Sequence, residues 1–344
     1  MLTCKDNKKM DKTAKNMLLI IFSVLLCINT AAQGDWKREQ TSALATISPG
    51  TLYNEISFLA DTLCGGRATG TGESMAAAFM IARKFSNFGL LPLTDGYASH
   101  FTCSNGTCGH NIMGMIPGSY TMPSEKYFIV GAHYDHLGRL DGKLYPGADA
   151  NASGTAVLTA LAEIFSEMKK TGRVYDTNII FAAFDAKEMN MAGSFSLWKL
   201  IEYGLLKDPI TGNSITKDKI TGMANIDQIG SSLSPIRSGR RDYMLMLGTE
   251  SLPKDKRNNL ETCNVLSGSS LDLCLSYYGS RTFTEVFYKL SDQKIFVENR
   301  VPAVFFTSGI TMNNNKTRDT AESLDYEVLH KRLQLIYHWI ESML

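Results

Sequence analysis

The sequence lacks an excess of either charge, since its 344 residues include 35 Lys and Arg against 34 Asp and Glu, a formal net charge of +1 at pH 7. No basic stripe appears either, so electrostatic binding to nucleic acid or to an anionic membrane is excluded as a function. The sequence also has no internal repeat, no low-complexity tract and no Pro- or Ser-rich linker. Its length and its 44% hydrophobic content then favour a single globular domain.

The N-terminus combines three features of a secretory signal peptide. Five Lys residues come before position 16, an apolar run covers 17–28, and small residues follow at 30–32. This order predicts a signal peptide over 1–32 and a mature domain over 33–344. The run is too short to cross a bilayer core of about 30 Å, so we expect no transmembrane anchor after cleavage. The protein would be exported, whether periplasmic, cell-surface or secreted; the alternative is a short buried helix.

Cleavage after Ala32 would leave five cysteines, none with the CxxC spacing of a zinc site. Export permits disulfides, and two pairs lie close in sequence, Cys103 with Cys108 and Cys263 with Cys274. We predict a bridge between Cys103 and Cys108, because the residues between them are suited to a turn. The odd number of cysteines leaves at least one thiol free.

Short apolar runs alternate with helix-like segments along the rest of the chain. The apolar runs of strand length cover 126–132, 178–184, 223–226 and 301–307. The helical patterns cover 76–88, 152–168 and the segment from 325 to the end. Near-continuous apolar strands that alternate with helices predict an α/β fold with a mostly parallel central sheet and helices on both faces.

Polar residues follow three of these strands. His133 and Asp135 come after the first, Lys187 and Glu188 after the second, and Asp227 after the third. Sites in parallel sheets form beyond the carboxyl ends of the strands, so we expect these side chains to converge in one cleft. The alternative for any single Asp is a turn or a helix cap.

Several short motifs follow one another in the order and spacing of a known family. They are found at residues 66–70 (GRATG), 111–114 (NIMG), 131–138 (GAHYDHLG), 147–154 (GADANASG), 181–194, 225–230 (NIDQIG) and 291–320. In these motifs the chain resembles the zinc aminopeptidases, a family that includes bacterial leucyl aminopeptidases and, more distantly, glutaminyl cyclases. The resemblance covers most of the mature chain and implies the same α/β fold.

The resemblance implies a two-zinc centre with five protein ligands and a glutamate that serves as general base. Zinc in such a centre lowers the pKa of its bound water to about 7 and polarises the scissile carbonyl, while the glutamate moves the proton. By position, His133, Glu188 and Asp227 match three of the metal ligands. Asp135 matches the carboxylate that orients the histidine.

The other positions of the centre depart from the family. Ala150 replaces the bridging aspartate, and Asp149 lies one residue early, so that its side chain should point elsewhere. Lys187 replaces the general base, and Asn315 replaces the late histidine. Asp292 lies in a Ser-Asp-Gln segment where the family has Ser-Asp-His. Asp149, Asp292 and Asn315 are therefore candidates for ligand binding in the cleft rather than for metal ligation.

The missing ligands have no evident replacement, because the only histidines after position 136 are His330 and His338 in the terminal helix. We expect zinc if the site holds any metal, and a site without metal is the other outcome. We interpret the chain as an exported aminopeptidase-like protein that has lost most or all peptidase catalysis and retains a role in binding peptides or protein N-termini. The alternative is an active aminopeptidase with an unusual single-metal site. A serine hydrolase is disfavoured, since neither Ser153 nor Ser194 lies in a G-x-S-x-G motif.

Lys187 has a further implication for charge. Without zinc, the retained acids Asp135, Glu188 and Asp227 would crowd negative charge into one cleft. We predict that the ammonium group of Lys187 lies within about 4 Å of Glu188, Asp227 or Asp149 and balances part of that charge. The alternative is that Lys187 points to solvent.

Overall fold

The computed structural model describes residues 39–232, 240–277 and 279–344. The predicted signal peptide over 1–32 lies outside the described residues. The chain divides into two units, Met1–Ala45 and Thr46–Leu344. In the first unit the described residues, 39–45, are helical. The second unit contains the central sheet and the polar residues singled out above.

The helices and strands of the second unit have the following bounds. The helices are α1 (Pro49–Leu59), α2 (Gly72–Phe88), α3 (Gly154–Lys170), α4 (Ala192–Glu202), α5 (Lys254–Leu266), α6 (Arg281–Tyr288), α7 (Lys294–Glu298) and α8 (Tyr326–Met343). The strands are β1 (Leu91–Pro92), β2 (Ala98–Thr102), β3 (Cys108–Ile116), β4 (Tyr127–His133), β5 (Gly138–Leu140), β6 (Lys143–Tyr145), β7 (Asn178–Phe184), β8 (Ile220–Ile226), β9 (Tyr243–Leu247), β10 (Asp272–Cys274) and β11 (Ala303–Thr307). Within the described ranges, no helix is long and apolar enough to cross a membrane.

Among the described residues, nine of the strands form one sheet in the order β1-β3-β7-β4-β8-β11-β9-β10, with β2 paired to β3 outside this path. The middle strands β7, β4, β8 and β11 are parallel to one another. β3 pairs with β7, and β9 with β11, in antiparallel fashion, so antiparallel pairs flank the parallel centre. β5 and β6 form a separate two-stranded sheet. The predicted α/β fold with a mostly parallel central sheet is confirmed.

Alternate side chains of the middle strands pack against helices on opposite faces of the sheet. On one face Ile129 of β4 belongs to the same buried cluster as Trp198 of α4. On the other face the neighbouring Phe128 packs edge-on against Trp339 of α8, with ring centroids 5.9 Å apart. Successive strand residues point to opposite faces, so a strand covered on both sides must be apolar at every position. This explains the continuous apolar runs of β4 and β7.

The predicted elements begin and end close to the observed ones. The apolar runs correspond to β4, β7, β8 and β11, and the run over 178–184 matches β7 at both ends. Helix α2 begins four residues before the predicted 76 because Thr71 caps it, accepting a hydrogen bond from the backbone N–H of Ser74. The same helix ends at Gly89, whose φ of 81° suits a left-handed C-cap.

The hairpin of β2 and β3 determines where two of the cysteines point. Thr102 is paired with Cys108, so their side chains share the exposed face, whereas Cys103 is one residue further along and is buried. All five described cysteines are free thiols, Cys263 and Cys274 included. The predicted bridge between Cys103 and Cys108 is therefore wrong, because strand alternation turns the two thiols to different sides of the hairpin.

Candidate active site at the carboxyl end of the sheet

The site is located where three neighbouring parallel strands end. His133 is the last residue of β4, Asp185 follows β7 and Asp227 follows β8. Because β4 is hydrogen-bonded to both β7 and β8, these strand ends lie side by side. The polar residues that the sequence places after the strands thus meet at one edge of the sheet.

His133 is fully buried between two carboxylates. Its Nε2 lies 3.2 Å from Oδ1 of Asp227, and its Nδ1 lies 3.4 Å from Oδ1 of Asp135. Burial disfavours the charged imidazolium, but the Asp227 carboxylate and the hydrogen bonds to the two acids outweigh burial and raise the pKa of His133 to about 10. At neutral pH the ring is therefore a cation that donates its Nε2 proton to Asp227.

Asp135 holds the loop that follows β7. Its Oδ1 accepts a hydrogen bond from the backbone N–H of Lys187 at 3.0 Å, and its Oδ2 accepts one from the backbone N–H of Glu188 at 3.0 Å. Lys187 and Glu188 lie at the base and ligand positions that the resemblance implies. The backbone of both is therefore bound to the carboxylate that contacts His133.

The side chain of Lys187 turns back toward the acids instead of toward solvent. Its Nζ lies 3.1 Å from Oε1 of Glu188, and the two side chains are 17% and 26% exposed. Burial alone would lower the pKa of the Lys187 amine, but the charges of Asp227 and Glu188 outweigh it and raise that pKa above its usual value. The predicted contact with a retained acid is present, and the amine is held as an ammonium ion.

The turn before α3 carries Asp149 and Ala150, and both are buried. Oδ1 of Asp149 accepts a hydrogen bond from the backbone N–H of Gly230 at 2.8 Å and one from the hydroxyl of Ser153 at 3.3 Å. Burial raises the pKa of Asp149. Its carboxylate is thus bound within the turn region, as expected for a residue one position early, and Ala150 presents only a methyl group at the bridging position.

Two residues that the sequence interpretation did not assign a role hold this turn in place. Oδ1 and Oδ2 of Asp319 accept hydrogen bonds from the backbone N–H groups of Asp149 and Ala150 at 2.8 and 3.2 Å. Burial and the neighbouring Asp149 carboxylate raise the pKa of Asp319 to about 7. Arg67, in the motif over 66–70, is fully buried and donates to backbone carbonyl oxygens, including that of Gly147 at 2.7 Å. Arg67 lies in the motif over 66–70 and Asp319 in the segment over 291–320. These motifs were the sequence signal that could have identified the two residues.

The late-histidine position lies on a loop at the rim of the site. Asn315 is exposed and has a φ of 55°. Its neighbour Asn314 lines a cavity of about 100 Å³ together with Lys187 and Asp227. Residues 312–318 form turns with no strand pairing, so motif spacing alone does not decide which asparagine faces inward.

Residues 291–293 contact Asp227 and its neighbour in strand β8, Asn225. The hydroxyl of Ser291 donates to Oδ2 of Asp227 at 2.7 Å, and Gln293 accepts from Asn225 at 2.7 Å. Asp292 is fully buried, and among the described residues neither of its carboxylate oxygens makes a hydrogen bond of normal geometry. Burial raises the pKa of Asp292 to about 6, despite the charge of His133.

The retained residues do not fit a zinc ion as they are arranged. In the described part of the chain, no three His, Cys, Asp or Glu side chains are grouped so that they could hold a metal. Zinc sites in proteins use three or four such ligands. Here Nε2 of His133 lies 3.2 Å from Oδ1 of Asp227, and Glu188 is paired with Lys187, so each of these groups already has a side-chain partner.

Comparison with known proteins relates this chain to a family. The model of peptidase family M28 matches residues 111–340. The LapA aminopeptidase of Legionella pneumophila superposes with a TM-score of 0.65 and 17% identity, over 89% of this chain and 74% of that chain. BSAP, a zinc aminopeptidase from Bacillus subtilis, gives 0.61 and 15% over 85% of this chain and 94% of that chain. A Bacteroides thetaiotaomicron glutaminyl cyclase solved with N-acetylhistamine gives 0.60 and 17%, over 85% of this chain and 97% of that chain.

At these identities the solved structures show a shared fold, and the resemblance to zinc aminopeptidases and glutaminyl cyclases is confirmed. The family model matches well over half of the chain. The chain therefore belongs to peptidase family M28.

Proposed function

We propose that this protein is an exported, aminopeptidase-like member of the family in which peptidase catalysis is lost or heavily impaired, and that its cleft binds peptides or protein N-termini. The observation that carries the proposal is the ion pair between Lys187 and Glu188 at 3.1 Å. In this one contact, the residue at the general-base position is paired with the residue at a ligand position.

The chemistry of peptide hydrolysis explains why this contact matters. A general base must accept a proton from the attacking water, and its pKa must lie near the working pH. The Lys187 amine already carries its proton, and the surrounding acids raise its pKa. A second deficit is the methyl group of Ala150 where the resemblance implies a bridging carboxylate. Zinc remains the cofactor that the family implies, and we propose that this chain binds it weakly or not at all.

The proposed export rests on the signal-peptide pattern over 1–32. The proposed binding role rests on the polar and apolar residues that line the cavity beside Lys187. Peptide termini are the ligands that this cleft would receive in a protein derived from an aminopeptidase scaffold.

Metal analysis of the purified mature protein, combined with a panel of aminoacyl reporter substrates, tests the proposal. We expect zinc far below one ion per chain after equilibration with zinc and removal of the excess, and no turnover above a blank. One or two tightly held zinc ions together with turnover that a chelator abolishes would overturn the proposal in favour of an active enzyme.

A further inference from the structure

The hairpin of β2 and β3 carries two histidines directly opposite each other, His100 and His110. Further along the same hairpin, the backbone N–H of Cys103 donates to the carbonyl oxygen of Thr107 at 2.8 Å. Hydrogen-bonded and non-hydrogen-bonded pairs alternate along an antiparallel ladder, and His100 lies three residues from Cys103. The two histidines therefore form a non-hydrogen-bonded pair, the kind in which the Cα atoms are only about 4.5 Å apart and the side chains lie closest.

The two imidazole rings are in contact on the exposed face of the hairpin. Their centroids lie 4.7 Å apart, and the ring planes are inclined by 83°. His100 is exposed and His110 is half-buried. Nδ1 of His110 is buried and has no hydrogen-bond partner among the described residues. A buried polar atom without a partner is uncommon in proteins, and such an atom on an imidazole ring indicates a site for a ligand.

The backbone of His110 is fixed from two directions by buried side chains. Its N–H donates to Oδ2 of Asp185 at 3.0 Å, and its carbonyl oxygen accepts a hydrogen bond from the hydroxyl of Tyr134 at 2.9 Å. The position of the imidazole is thus set by the fold, whereas rotation about χ2 of a histidine is broad and has little cost. Both rings can turn a nitrogen toward one shared ion while the strands stay in place.

The chemistry of the pair determines which ions it suits. Imidazole nitrogen favours transition metals such as Zn²⁺, Cu²⁺ and Ni²⁺, while Mg²⁺ and Ca²⁺ prefer oxygen. In the part of the chain that the structure describes, no third His, Cys, Asp or Glu side chain joins the pair to make a group of three that could hold a metal. Zinc sites use three or four protein ligands. Cu²⁺ and Ni²⁺ accept a tetragonal set of nitrogen and oxygen ligands, so that two imidazoles and water suffice.

We infer that His100 and His110 together bind one Cu²⁺ or Ni²⁺ ion on the exposed face of the hairpin, through one ring nitrogen each, with water in the remaining positions. Cu²⁺ is the ion that binds more tightly, because the affinity of a given nitrogen site rises from Ni²⁺ to Cu²⁺. The site goes beyond the proposed function, since it uses neither the residues of the cleft nor the family's metal positions.

A titration of the untagged protein with Ni²⁺, followed by calorimetry at about pH 7.5, tests the inference. Both rings are then mainly neutral, as ligation requires. Ni²⁺ is the probe because the thiol of Cys108 is exposed on the same face of the hairpin and would reduce Cu²⁺. We expect binding of one Ni²⁺ per chain and no binding of Mg²⁺ at the same concentration. Absence of Ni²⁺ binding at millimolar concentration would overturn the inference.

Two variants assign the ion to the histidine pair. His100→Gln and His110→Gln should each weaken Ni²⁺ binding at least about tenfold, because a single imidazole lacks the advantage of two ligands on one scaffold. The matched control is His330→Gln in α8, which should leave the affinity within about twofold of the unmodified protein. A loss of less than about tenfold in either hairpin variant would refute the shared site. If His110→Gln does not fold, His100→Gln decides the question, since His100 is exposed.

One more variant separates this site from the cleft. Glu188→Gln changes a carboxylate of the cleft and should leave the Ni²⁺ affinity within about twofold. Loss of binding in Glu188→Gln would locate the ion in the cleft and overturn the inference. Failure of the hairpin site would leave the proposed function intact, because that proposal depends on zinc content and turnover. A site with two protein ligands also releases its ion when excess metal is removed, so it does not add to the zinc content measured there.

Discussion

At the scale of single residues, the proposed function depends most on Lys187. It lies among Asp135, Glu188 and Asp227, where the family resemblance implies two zinc ions, and its amine contacts Glu188 directly. Together with the His133 cation it leaves three carboxylates facing two positive groups. We interpret Lys187 as the residue that balances the charge of the site without metal.

This role predicts that Lys187→Met lowers the free energy of unfolding by about 1–2 kcal/mol, because the retained acids lose their cation in a partly buried cleft. The partial exposure of Lys187 and Glu188 to solvent keeps the effect below that of a fully buried pair. Urea unfolding of both proteins measures the change. Lys170→Met, in a pair that is 56% and 41% exposed, should change stability by less than about 0.5 kcal/mol. Equal effects of the two substitutions would refute the charge-balancing role.

Asp292 gives a prediction for pH. Burial raises its folded pKa to about 6, above an unfolded value of about 3.9. The folded state then binds the proton more tightly, so the free energy of unfolding falls as pH rises from about 4 to about 6 and stays lower above that. Asn cannot ionise, so the stability of Asp292→Asn relative to the unmodified protein should be about 1–3 kcal/mol more favourable at pH 8 than at pH 4.5. Melting curves at the two pH values give this difference. The same relative stability at both pH values would show that Asp292 does not titrate in this range.

At the scale of elements, the loops around the site are held by buried charges that bond to backbone. Arg67 donates to the carbonyl oxygens of Leu59, Tyr134, Pro146 and Gly147 at 2.5–2.8 Å. These carbonyls belong to the end of α1, the residue after β4 and the turn before α3. One side chain therefore links three segments of the chain.

We predict that Arg67→Met costs at least about 3 kcal/mol of stability, because four buried carbonyl groups lose their donor. Arg139 in β5 is exposed and serves as the control, and Arg139→Met should stay within about 0.5 kcal/mol of the unmodified protein. Denaturant unfolding gives both values. A mild effect at Arg67 would mean that water replaces the guanidinium and that the three segments hold their positions without it.

The elements also show what the sequence could and could not predict. The parallel strands β4, β7, β8 and β11 were predictable because each is covered on both faces and is therefore largely apolar. The edge strands β1 and β10 were missed because they are only two and three residues long and carry no clear periodicity. The error at Cys103 and Cys108 arose because the register that separates the two thiols belongs to the β2–β3 hairpin, which was not predicted from the sequence.

At the scale of the whole molecule, the fold of the family is present, and the proposed loss of catalysis rests on side chains at the carboxyl end of its sheet. Motif order located His133, Asp135, Lys187, Glu188 and Asp227, and the structure links all five through direct contacts. Turn residues were harder to place. Asn315 and Asn314 are one position apart in an irregular loop, and backbone conformation rather than spacing decides which of them reaches the cavity.

Restoration of the lost groups is a prediction about the scaffold as a whole. Ala150→Asp, Lys187→Glu and Asn315→His together should create zinc binding and some aminopeptidase turnover, because a metal site needs its full ligand count. Each single change should do little. A second triple variant carries Asn314→His in place of Asn315→His, because Asn314 lines the cavity beside Lys187. Zinc content by elemental analysis reports success independently of turnover.

The measurement that tests the central claim most directly is the hydrolysis of aminoacyl reporters by the unmodified protein, with and without a chelator, beside the restored triple variants. We predict no chelator-sensitive turnover in the unmodified protein, and zinc-dependent turnover in at least one triple variant. Robust turnover by the unmodified protein that the chelator abolishes and zinc restores would contradict the account.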